Sequence, residues 1–226
     1  MRIISLLLSL LMGMMAFALP VQAVSFTWEF GREYSGAYAP TGEGPWLTAT
    51  FDDHNSPGEV SLTLRAVGLT DPEYVNEWLF NFEGNPTALT ISPIGATGSF
   101  DPPAIRTRQN AFHGAGAGDF DIQFDFANAS RERFGAGDVL TVSIMGPGIT
   151  ADMFDAESEM RGRNGRDPFL SVAHVGGIDL PDLPTDVLGK NDDGSGWVTV
   201  PDASPLFLLG SACLIGFAVS SKRSAK

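Results

Sequence analysis

Asp119-Phe120-Asp121-Ile122-Gln123-Phe124-Asp125-Phe126 is the stretch on which the fold turns. Phe120, Ile122, Phe124 and Phe126 occupy every second position, with Asp119, Asp121, Gln123 and Asp125 between them. A period of two sends the aromatic set to one face of an extended strand and the polar set to the other. Working outward, the same period recurs. Val60, Leu62, Leu64 and Ala66 face inward in one segment, Trp78, Phe80 and Phe82 share a face in another, and Leu140, Val142 and Ile144 do so in a third. Further strands are expected over 46–51, 88–94, 110–114, 169–175 and 195–200. Turn chemistry separates them at Asn55-Ser56-Pro57-Gly58, Glu83-Gly84-Asn85-Pro86 and Gly114-Ala115-Gly116-Ala117-Gly118.

About nine or ten short strands punctuated by turns predict an all-β chain, an antiparallel β-sandwich of jelly-roll or immunoglobulin-like type. No alternation of strands with long helical patterns points to a parallel α/β sheet. One short helix is expected at 150–158, with Thr150 as its cap. No fixed-period repeat is present. The sandwich is expected over 24–178. From 179 to 199 the chain turns rich in Pro, Asp and Gly and reads as an extended acidic linker. Trp197 and Val198 offer the alternative of a last strand at 195–200.

The formal charge is −13. Arg2, Lys222, Arg223 and Lys226 lie in terminal segments, so the remainder carries 10 basic against 27 acidic residues, or −17. Such a domain repels nucleic acid and anionic headgroups, leaving neutral glycans and divalent cations as partners. The single cysteine, Cys213, sits in the C-terminal apolar run, so the body of the chain has no disulfide. Its stability must come from its core, which about 180 residues can supply.

Residues 1–23 read as a signal peptide. Arg2 starts it, an apolar run from Ile3 to Leu19 follows, and Pro20 breaks the helix. Val21 and Ala23 then place small residues at the cleavage positions, for a cut after Ala23. At the other end, Leu206 to Val219 form an apolar helix, single and near the lower limit for spanning a bilayer. Lys222, Arg223 and Lys226 stop it on the cytoplasmic side.

The tail from 200 to 226 resembles the PEP-CTERM sorting signal of Gram-negative bacteria. Val200-Pro201-Asp202-Ala203-Ser204 matches its short motif, in a Val-Pro-Asp variant with Asp202 and Ala203 where the family usually has Glu and a second Pro. The apolar helix and the basic end follow in order. The resemblance implies signal peptidase and an exosortase as processing partners. It also implies anchoring in the inner membrane before sorting, then delivery to the cell surface or extracellular matrix. The segments EWLFNFEGN, NAFHGAGAGDFDIQFDF, RFGAGDVLTVSI and SVAHVGGI, across 44–178, are similar to the ectodomains of other PEP-CTERM proteins, a likeness that implies strands but no activity.

Candidate sites are sparse. Asp119, Asp121 and Asp125 lie along one strand face at roughly 7 Å intervals, and a straight strand spreads its oxygens too far apart for calcium. A solvated outer face is the reading preferred. Asp192 and Asp193, within Asn191-Asp192-Asp193-Gly194-Ser195-Gly196, are weak metal candidates for Ca²⁺, but lack the spaced acids and closing Glu of an EF-hand. Asp52-Asp53-His54-Asn55 reads as a turn. His54, His113 and His174 show no paired ligand spacing, although two of them sit in expected strands. Trp28, Trp46, Trp78 and Trp197 are read as core in preference to sugar-stacking platforms, with Trp28 and Trp46, near Tyr34 and Tyr38, the least settled.

No catalytic residue is assigned, and no cofactor. No Gly-x-Ser-x-Gly elbow occurs. The expectation is a non-enzymatic exported envelope or matrix protein that binds exopolysaccharide. The alternatives are a sandwich-fold carbohydrate hydrolase, whose paired carboxylates only a fold can reveal, and a calcium-stabilised structural module.

Overall fold

The computed structural model describes residues 23–129, 131–160, 168–179 and 193–201. Twelve strands run through them. In chain order they are β1 (Ser25–Phe30), β2 (Arg32–Glu33), β3 (Leu47–Asp52), β4 (Glu59–Ala66), β5 (Tyr74–Phe80), β6 (Thr90–Thr97), β7 (Ala104–His113), β8 (Asp119–Asp125), β9 (Phe134–Gly135), β10 (Val139–Met145), β11 (Ser171–Asp179) and β12 (Asp193–Thr199). The chain is all-β, and its strand pairs are antiparallel.

Five strands form one sheet in the order β1-β3-β4-β10-β6. The other runs β2-β12-β11-β5-β8-β7, with β9 alongside β5. Only Gly31 separates β1 from β2, so one nearly continuous extended segment changes sheet at that glycine. The two sheets meet through aromatic rings. Phe30 of β1 stands edge-on to Trp78 of β5 at 4.9 Å, Trp28 stacks on Phe80 at 6.2 Å, and Phe51 of β3 meets Phe80 edge-on at 5.8 Å. Each such pair adds about 0.5–1.5 kcal/mol beyond the burial of its area. With Leu62, Leu64, Val142, Ile144, Phe124 and Val175 they form one core between the sheets, an arrangement consistent with a β-sandwich.

A second, smaller apolar cluster holds Tyr34, Leu79, Ala117, Phe120, Phe169 and Val172, flanked by Phe112 and Trp197. Leu79 sits between inward-facing Trp78 and Phe80, and Val172 precedes inward-facing Ala173, so this cluster occupies the opposite face of the larger sheet. Tyr34 closes it, packing on Phe169 at 4.6 Å and donating its hydroxyl to the Gly114 carbonyl at 3.2 Å.

Here the simple alternation of β8 fails twice. Ile122, Phe124 and Phe126 enter the main core, but Phe120 belongs to the second cluster. Asp121, expected in solvent, is 6% exposed. The cause lies in the neighbouring strand: Thr107 pairs with Ile122, yet Phe112 pairs with Phe120, so β7 bulges by several residues opposite Asp121. Asn110, at φ 49, sits in that bulge and donates its N–H to Asp121 Oδ1 at 2.7 Å. Phe82 N–H donates to Oδ2 at 3.2 Å. The carboxylate thus stands in for ladder partners that the bulge removes.

Other expectations shift. Residues Ala151–Phe154 form one 3-10 turn instead of a helix over 150–158, and the Thr150 side chain makes no cap hydrogen bond. Phe154 drops into the core and leaves no helical face to extend. The last-strand alternative is what the chain adopts: β12 covers Asp193–Thr199, pairing with β11 on one side and β2 on the other. Strands β1, β2 and β9 were not among those expected, and β7 begins six residues before the expected 110. The expected signal peptide before Ala23, the expected apolar helix at 206–219, and Asp202, Ala203, Ser204, Lys222, Arg223, Lys226, Val21 and Asp192 lie outside the described residues. Among the described residues no helix is long and apolar enough to cross a membrane.

Candidate functional site on the outer face of the larger sheet

Strand order brings together side chains that the sequence keeps far apart. Trp197 of β12 pairs across the ladder with His174 of β11, His174 with Glu77 of β5, and Glu77 with Asp125 of β8. One step along, Leu79 pairs with Gln123, and Gln123 with Arg106 of β7. Direct cross-strand partners share a face, and Trp78, Phe124 and Ala173 beside them point into the core, so these residues line the outer face.

At one end, the His174 and Trp197 rings stack with centroids 4.9 Å apart and planes 15° from parallel. At the other, the polar groups form a chain. Gln123 Nε2 donates to Glu77 Oε1. Arg106 Nη1 donates to Gln123 Oε1 at 3.1 Å, and Arg106 Nη2 lies 3.3 Å from Asp125 Oδ2. The row therefore sets a stacked aromatic pair beside planar amide, carboxylate and guanidinium groups.

Burial sets its electrostatics. Loss of solvent raises the Glu77 carboxyl above the usual range. The Gln123 hydrogen bond opposes that rise, Asp125 adds to it, and Arg106 and His113 oppose it. Burial likewise lowers His174, favouring the neutral imidazole beside Trp197.

The other candidates from the sequence are engaged elsewhere. Trp28, Trp46 and Trp78 are buried, and Trp46 Nε1 donates to the Gly42 carbonyl at 2.7 Å. Trp197 is half-buried. His113 Nδ1 is 2.7 Å from Asp119 Oδ1. His54 sits between Asp52 (3.1 Å) and Ser61 (3.0 Å). The three histidines do not converge, and among the described residues no group of three His, Cys, Asp or Glu side chains is arranged to hold a metal ion. Asp193 begins β12. A cavity of about 330 Å³ lies between Asp71, Glu73, Tyr74, Arg133 and Asp138, with the Arg133 guanidinium 3.8 Å above the Tyr74 ring. Two of its acids are committed to the backbone: Glu73 accepts from the Thr41 and Thr70 N–H groups, and Asp138 from that of Gly135.

No family model, curated protein or solved structure matches this chain.

Glu77, Gln123 and Arg106 carry no motif in the sequence. Their only signal is polarity on the outward phase of strands whose inward phase is aromatic.

Proposed function

We propose that this protein is an exported, exosortase-sorted component of the cell envelope or extracellular matrix, and that it binds exopolysaccharide without turning it over. The observation that carries the binding reading is the Trp197–His174 stack adjoining Glu77, Gln123, Asp125 and Arg106 on one sheet face. A sugar ring offers an apolar face to stack and a rim of hydroxyls that planar amide, carboxylate and guanidinium groups satisfy in pairs. Sorting rests on the Val200-Pro201-Asp202 motif, the apolar run and the basic end. A jelly-roll or immunoglobulin-like sandwich is the finer fold that suits two such sheets.

One observation favours a second reading. Glu77 and Asp125 are cross-strand neighbours, a pair of carboxylates of the kind a glycoside hydrolase uses, and burial raises Glu77. Binding is preferred because Gln123 and Arg106 tie both carboxylates to their own sheet.

The test uses the processed protein from its host and the host's own exopolysaccharide. Co-sedimentation is expected for the wild type and is expected to fall at least tenfold for Trp197→Ala, with Glu77→Gln retaining most of it. Release of reducing ends by the wild type, abolished in Glu77→Gln, would transfer the site to the hydrolase reading. Equal co-sedimentation of wild type and Trp197→Ala would remove this face from the binding account. A tail still attached in the inner-membrane fraction would sink the sorting claim.

A further inference from the structure

Val24 is the residue that follows the expected signal-peptide cut, and it is already seated. Its backbone N donates to Asp53 Oδ1 at 3.0 Å, and Asp53 N–H returns a bond to the Val24 carbonyl at 3.1 Å. Asp53 is only 5% exposed, whereas Val24 is 36% exposed. The strand β1 begins at the next residue, Ser25, and pairs with Asp52. A buried carboxylate therefore faces the backbone N of Val24.

We propose that Asp53 is a built receptor for the mature α-amino group of Val24, so that signal-peptide removal converts a neutral amide hydrogen bond into a part-buried ammonium–carboxylate pair. The inference rests on the export reading for the cut itself, and on the fold for the seat. A peptide N–H offers Asp53 one proton and no charge; an ammonium offers three protons and a full charge. The carboxylate is prepared for it. Although burial alone raises its titration point, N–H groups of Val24, Asn55 and Ala151, with the nearby His54, outweigh that and hold Asp53 below the usual aspartate range. The neighbouring titratable groups are Asp52 and His54, which pair with each other at 3.1 Å on the same turn, and Asp152 of the 3-10 turn, which also gives Asp53 the Ala151 N–H. The basic side chain that Asp53 feels, His54, is itself held by Asp52 and Ser61.

Scarcity of lysine makes the test clean. The protein is recovered from the host envelope as wild type and as Asp53→Asn, its N-terminus is read by mass, and both are treated near neutral pH with an amine-acetylating ester. The free α-amine titrates near 8 and lysine near 10.4, so the N-terminus reacts first. The mass should begin at Val24, and the wild-type α-amine should react about tenfold more slowly than that of Asp53→Asn, with Lys190 reacting alike in both. A start at Val24 with equal α-amine rates overturns the seat and leaves export standing. A start at Met1 overturns both, and a start elsewhere overturns the assignment of Val24. If Asp53→Asn fails to fold, the wild-type chain beginning at Val24 is compared with one retaining Ala23. The first should unfold with an equilibrium constant about fivefold smaller, as a charge-assisted bond exceeds a neutral one. Equal constants overturn the proposal.

Discussion

Removing the Asp121 carboxylate tests the account of β8 most directly. It accepts from Asn110 N–H at 2.7 Å and Phe82 N–H at 3.2 Å, in a position 6% exposed. Asp121→Ala strands both donors. A buried unpaired N–H costs about 1–3 kcal/mol, so two cost about 2–6, and relief of the buried charge returns part of that. The expected loss is about 3 kcal/mol. Asp121→Asn keeps one acceptor oxygen and carries no charge, so its loss should be about 1 kcal/mol. Burial, with Glu159 adding to it, raises the Asp121 carboxyl above its ordinary value, against the two N–H bonds that lower it. The sign follows: the folded protein holds this proton more tightly than the unfolded chain does. The group's contribution to stability is complete below the ordinary aspartate value of about 3.9 and is lost as pH rises toward the raised folded value. Urea unfolding followed by tryptophan fluorescence, from pH 4 to 7, reads both effects. Asp121→Asn should lose this component of the pH slope. An Asp121→Ala midpoint within about 0.5 kcal/mol of wild type would refute the staple, as would Asp121→Asn proving the worse of the two.

Three further outcomes are expected. Trp78 is fully buried and its indole N–H has no partner among the described residues, so Trp78→Phe should cost under about 1.5 kcal/mol while Trp78→Ala costs about 3–5, by denaturant titration. Because burial lowers His174, its contribution to stability is present above the unfolded value of about 6.5 and is lost as pH falls below it. His174→Asn should flatten the unfolding profile there, and an unchanged profile would assign the effect to another group. A Cβ on Gly196 would stand 1.9 Å from the Tyr38 carbonyl oxygen, so Gly196→Ala should cost more than about 2 kcal/mol in thermal melts, and a neutral result would mean that β12 shifts freely.

Legibility in the sequence followed physical simplicity. Strand β4 is readable because it has one dry face and one wetter one, and in β5, β8 and β10 the inward residues keep the period of two even where the other face is partly covered. Asp121 escaped because its environment is decided by a bulge in β7, a neighbour whose register alternation cannot convey. Gly194-Ser195-Gly196 reads as linker because glycine signals flexibility, whereas here Gly196 admits the Tyr38 backbone against a strand. Phe26, Trp28 and Phe30 of β1 also alternate, so this strand carries the same signal. For the site, Trp197, His174 and Asp125 could each be singled out. Their meeting with Glu77, Gln123 and Arg106 depends on the order β12-β11-β5-β8-β7, which no local pattern encodes.

The placement of β12 has a mechanical consequence. It ends at Thr199, one residue before Val200, and lies between β11 and β2. A pull on Pro201 directed along the strand axis would load the ladder to β11, from Val172–Thr199 to Asp179–Asp193, in shear. Bonds loaded in shear share force and fail together, whereas bonds at a peeled end fail one by one. A domain tethered at this end would resist drag from flow or from an attached polymer far better than its modest size suggests.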